Sequence, residues 1–444
     1  MRVGAQDRVF QKARTAAELD AAPAPPGAGM QTPRAGAGHR LRWLWLAGVI
    51  GPGVMVMLAD TDVGSIVTAA KSGATWGYRL LPLQIILIPV LYVVMELTAR
   101  LGIATGMGHA QLIAHRFGRR WAMLSVGALL ISTTGALVTE FAGIAGVAGI
   151  VGLPSVIVVP AAAVFLALVV ISGTYRRVEL IGIGLGLFEL AFVLAAALAH
   201  PDAGALVGSV RSAQPLGNTG YLSLVAANVG AVVMPWMVFY QQAAIVDKGL
   251  VHKDLRGARV DTALGAVMTQ VVMIAVLVAA GSTLFDHHTG PLNSVGQISK
   301  ALTPSLGAVG GRVAFALGTT GAALVAGIVV SLAASWAFAE MAGRPRSLNQ
   351  RVHQAPLFYG IYFGSLAAAA TLVLVSPSLV GLAVAVEVVN AFLLPIVLGF
   401  LVVLAWTALP APYRLRPLER VVLLLVTGAV IILGLGLAAS AFGL

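Results

Sequence analysis

The 444-residue chain is 59% hydrophobic and only 10% charged, with a mean hydropathy of +0.93, which excludes an ordinary water-soluble domain and points to an integral membrane protein. It has no cysteine, so disulfides, thiolate metal sites and cysteine nucleophiles are excluded. A net charge of +11 could serve nucleic acid, but the basic residues lie in short loops between apolar runs, and no nucleic-acid partner is expected.

Residues 1–40 are rich in Ala, Pro, Gly and Arg, as in Ala21-Ala22-Pro23-Ala24-Pro25-Pro26-Gly27. They read as a disordered cytoplasmic tail without the layout of a cleaved signal peptide. The transmembrane domain is expected over residues 41–444. Its apolar runs lie near 43–70, 78–104, 121–150, 154–174, 178–199, 220–246, 260–284, 312–339, 356–376, 379–406 and 418–443, eleven stretches of about the 20 residues a helix needs to span a bilayer.

Of the 28 Lys and Arg, all but Lys71, Arg79, Arg211, Lys300 and Arg312 fall on the side of the N-terminus. The positive-inside bias makes that side cytoplasmic. Short loops and no organelle address fit a bacterial inner (plasma) membrane. Asp286-His287-His288, in a long outer loop, reads as solvated rather than metal-binding, since a histidine ligand needs ordered partners to fix its ring.

Two runs are interrupted. The first holds Ala59-Asp60-Thr61-Asp62-Val63-Gly64-Ser65, and a carboxylate at membrane depth is costly enough to suggest an ion or proton site. Asp62 can also cap the helix that follows. The sixth run holds Asn228-Val229-Gly230-Ala231-Val232-Val233-Met234-Pro235-Trp236, where Pro235 removes a backbone donor and frees a carbonyl near Ala231. Breaks in the first and sixth runs occupy equivalent places in two five-helix repeats of opposite orientation. That pattern points to a transport site at the midplane.

Gly51-Pro52-Gly53, Asp62-Val63-Gly64-Ser65, Gly77-Tyr78, Ala99-Arg100-Leu101-Gly102-Ile103 and the stretch from Gly230 to Pro235 resemble the Nramp family of divalent-metal transporters over roughly residues 45–410. The resemblance implies an all-α, LeuT-like 5+5 inverted-repeat bundle with helices 1 and 6 broken, followed by an eleventh helix. Position by position, it implies metal ligation by the Asp62 carboxylate, the Ala59 and Ala231 carbonyls and the Met234 thioether. Ser65 stands where the family usually has Asn, as a shorter oxygen ligand. Glu387, where typical members often have Gln, offers a second carboxylate.

Other departures concern protons. Trp236 replaces a His, and Leu137 replaces an acid one turn before Glu140, both parts of the usual proton route. Glu140 and Trp236 are therefore expected in a proton-handling or supporting role, with protons left as an optional coupled ion and symport by the usual route disfavoured. Asp60 is expected to line the outer vestibule, and Glu96 and Glu189 receive no role. Val63 replaces the usual proline of the first break, where Gly64 is expected to relax the backbone.

The expected function is secondary transport that imports Mn²⁺ or Fe²⁺ by alternating access, with the metal as cargo and no bound cofactor. A thioether favours such ions over Mg²⁺. Met-Pro-Trp and Gln241-Gln242 also resemble the magnesium-carrying branch of Nramp-related proteins, which makes Mg²⁺ the alternative cargo. Readings of another class are a membrane metal sensor without transport and an organic-substrate symporter. Nothing in the chain resembles the nucleophile–base pair or phosphate loop of an enzyme.

Overall fold

A computed structural model describes residues 51–285, 295–375 and 380–441. The N-terminal tail and the Asp286–His288 stretch lie outside them. The first span is two helices, α1 (Pro52–Asp60) and α2 (Val63–Trp76), bent by 50°. There follow α3 (Leu81–Thr105), a short connecting helix α4 (His109–Phe117), α5 (Arg119–Val151) and α6 (Ser155–Ile171). The fifth span is α7 (Tyr175–Gly186) and α8 (Leu190–Leu198), joined by a 3-10 turn at Leu187–Glu189.

The chain continues through a short helix α9 (Ala203–Arg211) to a second broken span, α10 (Thr219–Val232) and α11 (Pro235–Lys248). Then come α12 (Leu255–Leu284), α13 (Val295–Ala342), α14 (Pro356–Val375), α15 (Val380–Thr407) and α16 (Pro417–Ala441). Gly307 interrupts α13 with φ 72° and ψ 167°, so its apolar part is Val309–Ala342. Among the described residues, eight helices are long and apolar enough to cross a bilayer, with the bent pair as a ninth candidate. The shorter apolar helix α6 and the final helix α16 correspond to the remaining predicted runs. Short helices α4 and α9 lie in segments that the hydropathy pattern reads only as connections.

The broken sixth span sits at the centre: its apolar window is 83% buried, against 33% for Tyr175–Leu198. The outer helices expose many large apolar residues, including Ile157, Leu168, Leu180 and Leu425. Such a surface belongs against lipid. Glycines let the central helices close on one another. At Gly230 on α10, an added Cβ would meet the Glu387 carbonyl and the Ala391 nitrogen of α15.

Charged groups tie the ends of the spans. The Asp261 carboxylate of α12 accepts the N–H groups of Gly51 (3.0 Å), Gly53 (2.6 Å) and Val54 (3.1 Å), satisfying donors that the start of α1 leaves free. Lys248 at the end of α11 pairs with Glu179 of α7 at 2.9 Å. Arg100 bridges Glu96 (2.9 Å) and Glu419 (3.0 Å), and Arg259 also reaches Glu96 (2.7 Å). Glu96 is thereby a structural ion-pair partner.

Gly230→Ala is predicted to force α10 from α15, a strain of about 1–3 kcal/mol. It should lower the thermal midpoint of detergent-solubilised protein by several degrees. An unchanged midpoint would show that the two helices part freely.

Candidate ion site between the broken helices

Each break exposes backbone groups inside the bundle. At the first, Thr61 (φ −80°, ψ 42°) and Asp62 (φ −64°, ψ 174°) leave helical geometry. At the second, Val233 (φ −120°, ψ 93°) and Met234 (φ −101°, ψ 143°) are extended, and Pro235 starts the next helix. Proline suits that first helical position, where its missing N–H has no helical partner to lose.

Asp62 caps α2: its Oδ1 accepts the Ser65 N–H at 2.7 Å, while its buried Oδ2 has no hydrogen-bond partner. The capping reading and the ion-site reading therefore use different oxygens of one carboxyl. Ser65 links the breaks directly, its hydroxyl donating to the Ala231 carbonyl at 3.0 Å. Pro235 cannot donate to that carbonyl, so the serine takes the vacated role. Donating one proton leaves the serine oxygen's lone pairs open to a cation.

At the end of α1 the Met57 carbonyl accepts from Thr269 Oγ1, and the Leu58 carbonyl accepts from Thr61 Oγ1 at 2.8 Å. The Ala59 carbonyl comes next along this terminus, where partial negative charge favours a cation. Ala59 and Met234 are fully buried, each at its break. Glu140 of α5 accepts the Val63 N–H at 3.3 Å through Oε2, which sets it directly against the first break. Its Oε1 has no partner.

Glu387 of α15 enters from the other side. Its Oε2 accepts from Asn390 Nδ2 at 3.0 Å, whereas its buried Oε1 has no partner. A Cβ on Gly64 would collide with that Oε1 and lie 3.4 Å from Asp62 Oδ1. Gly64 is helical, so its role differs from the expected backbone relaxation. The absent side chain makes room for two carboxyls.

Asp60 also departs from expectation. It does not line an open vestibule: it is fully buried and both carboxyl oxygens are without a hydrogen-bond partner. Electrostatically it is linked to Asp62, Glu387 and Glu189, and Glu189 is hydrogen-bonded to Thr61. Trp236 is fully buried, with an indole N–H that lacks a partner. An indole donates but cannot accept and pass on a proton as imidazole does.

Buried carboxyls at this density require a cation or protons to offset their charge. No group of three His, Cys, Asp or Glu among the described residues is arranged to hold a metal. A metal at the breaks would therefore draw on carbonyl, hydroxyl or thioether donors besides carboxylate. Sequence reasoning missed Asn390 of α15 and Ser132 of α5, because their partners come from other parts of the chain or depend on the helix register. It also missed the steric need for glycine at position 64.

A family model described as natural resistance-associated macrophage protein-like, Nramp, matches residues 53–440. The chain belongs to the Nramp family. The divalent metal cation transporter MntH of Staphylococcus aureus is 25% identical over 282 residues, covering 60% of this chain and 62% of that relative. The match thus spans less than two thirds of the relative's length.

The crystal structure of the Eremococcus coleocola manganese transporter aligns with a TM-score of 0.78 at 18% identity, over 93% of this chain and 90% of that one. Mhp1, a nucleobase–cation symporter in a closed conformation, aligns with a TM-score of 0.57 at 12% identity, over 88% and 93% of the two chains. These likenesses show the fold, the LeuT-like bundle in its Nramp form.

In this Nramp chain, Asp62→Asn keeps an acceptor for the Ser65 N–H but removes the carboxylate charge. The variant is predicted to remain folded while its affinity for Mn²⁺, measured by isothermal titration, falls about a hundredfold. An unchanged Kd would remove Asp62 from the site.

Proposed function

We propose that this Nramp protein is a secondary transporter that imports divalent metal ions, Mn²⁺ or Fe²⁺ before Mg²⁺, across the inner membrane with its N-terminus cytoplasmic. The ion is cargo, and the protein acts as a carrier rather than an enzyme. The observation that carries the reading is the meeting of the two breaks: Ser65 bonded to the Ala231 carbonyl beside the free Oδ2 of Asp62. Asp62, Ser65, the Ala59 and Ala231 carbonyls, Met234 and Glu387 are the proposed ligands. The Staphylococcus aureus relative is a divalent metal cation transporter and the Eremococcus coleocola protein a manganese transporter, which agrees with this cargo class.

Selectivity rests on the balance between sulfur and oxygen. Met234 brings a thioether, which hard Mg²⁺ does not reward, whereas Mn²⁺ and Fe²⁺ accept a mixed donor set. The specific observation favouring Mg²⁺ is Glu387, whose free Oε1 adjoins Gly64 and adds hard oxygen beside Asp62. Glu140 supports the break through the Val63 N–H. Trp236 offers no proton relay, so cation entry is driven by its gradient and by the membrane potential, about 2.3 kcal/mol per charge per 100 mV.

Purified protein in liposomes, loaded with a pH dye and offered Mn²⁺ and Mg²⁺ side by side, tests the proposal. The expected result is saturable Mn²⁺ uptake that resists excess Mg²⁺ and causes no internal acidification. Mg²⁺ uptake of equal strength would make Mg²⁺ the cargo, and no uptake of either ion would remove the transport reading.

Met234→Ala is predicted to reduce the preference for Mn²⁺ over Mg²⁺ by about tenfold, roughly the 1.4 kcal/mol that separates decades in affinity. Competition uptake with the two ions reads this ratio directly. An unchanged ratio would mean that the sulfur does not select the ion.

A further inference from the structure

We propose that Asn390 and Ser132 are positioning residues that aim the Glu387 carboxylate at the transported ion and thereby set the site's preference for hard cations. The inference rests on the reading of Glu387 as a ligand. It concerns a chain of contacts running from α5 through α15 to the break in the first span.

The Ser132 hydroxyl donates to Asn390 Oδ1 at 2.6 Å. Asn390 Nδ2 in turn donates to Glu387 Oε2 at 3.0 Å. Ser132, Asn390 and Glu387 are all buried, at 1%, 0% and 0% exposure, so water has little access to replace any link. Each partner limits the next. With its oxygen engaged by Ser132, the amide of Asn390 presents N–H to Glu387 rather than a repelling oxygen. With Oε2 held, the carboxyl of Glu387 turns its other oxygen toward the first break, where Gly64 supplies the space beside Asp62.

That free Oε1, buried and without a partner, is the second observation that points to a ligand. A carboxylate satisfied on one oxygen and open on the other is arranged to accept a cation on its open side. Hydrogen-bond partners behind a metal ligand commonly change metal affinity by about 10–100-fold when removed. Oxygen-seeking ions such as Mn²⁺ and Mg²⁺ depend more on an aimed carboxylate than Cd²⁺, which gains from the Met234 thioether. Losing the support should therefore alter ion preference as well as affinity.

The test uses the full chain in proteoliposomes, with Mn²⁺ and Cd²⁺ uptake measured for Glu387→Gln, Asn390→Leu, Ser132→Ala, Ser132→Thr and the double variant Glu387→Gln/Asn390→Leu. Elution as a single folded species in detergent is checked for each. Asn390→Leu is expected to raise the KM for Mn²⁺ about tenfold with a smaller rise for Cd²⁺ and little change in maximal rate. Ser132→Ala should do the same more weakly, and Ser132→Thr, which keeps the hydroxyl, should restore the parent value.

The decisive comparison is the double variant. If Asn390 acts through Glu387, adding Asn390→Leu to Glu387→Gln changes the KM no further. If the two changes multiply, or Asn390→Leu alters both ions equally, the positioning role is overturned while Glu387 stands as a ligand. If Glu387→Gln alone leaves the Mn²⁺ KM and the Mn²⁺/Cd²⁺ ratio unchanged, Glu387 is no ligand and the inference falls with that reading.

Discussion

Backbone groups released by a broken helix must find partners where water is scarce, and that requirement organises the centre of this protein. Around the first break Asp62 takes the Ser65 N–H, Glu140 takes the Val63 N–H, and Thr61 and Thr269 donate to the Leu58 and Met57 carbonyls. Around the second, Ser65 replaces the donor that Pro235 lacks by bonding to the Ala231 carbonyl. Side chains from several spans thus converge because the two breaks need them. Of the oxygens proposed to face the ion, Asp62 Oδ2 and Glu387 Oε1 are left out of this repair, whereas the Ser65 hydroxyl and the Ala231 carbonyl take part in it.

The same economy closes both ends of the path. At one end, Gln84 of α3 donates to Asn228 of α10 at 2.6 Å, and Asn228 donates to Ser72 of α2 at 2.8 Å. At the other end, Asp261 holds the start of α1, Lys248 of α11 pairs with Glu179, and the Tyr240 hydroxyl meets the Met55 sulfur at 3.0 Å. With Asp62, Ser65 and Met234 at 1% exposure or less, the structure is closed on both sides. Alternating access in such a carrier amounts to releasing one set of ties while the other holds.

Much of this is legible in the sequence, because membrane physics writes large features into composition. Apolar runs mark the spans, and Asp62 and Pro235 mark the breaks, since each is costly at membrane depth unless the local backbone is unusual. The family resemblance adds Ala59, Asp62, Ala231 and Met234 as the residues proposed to meet at the ion. Contacts set by helix rotation are not legible: nothing in the local pattern around Gly64 says that Glu387, more than three hundred residues away, needs its vacant Cβ position. Asp60 is buried rather than vestibular for a related reason, as one residue at a break does not reveal which way the chain turns. The contact between Ser132 and Asn390 likewise depends on the packing of α5 against α15.

The proximity of Asp62 and Glu387 also bears on how occupancy and closure are coupled. Two like charges about 5 Å apart at an effective dielectric near 20 repel by about 3 kcal/mol. In this protein the electrostatic neighbours acting on Asp60 and Glu387 are other carboxyls, so repulsion between ionised groups is not relieved by those neighbours. On the proposed reading, a divalent ion between the carboxylates would convert that repulsion into attraction and draw α2 and α15 together across Gly64. Its departure removes the attraction and favours separation of the same two helices. The ion on this reading stabilises the occluded state that encloses it, and the narrow space at Gly64 makes that coupling depend on a carboxylate at position 387 as well as at position 62.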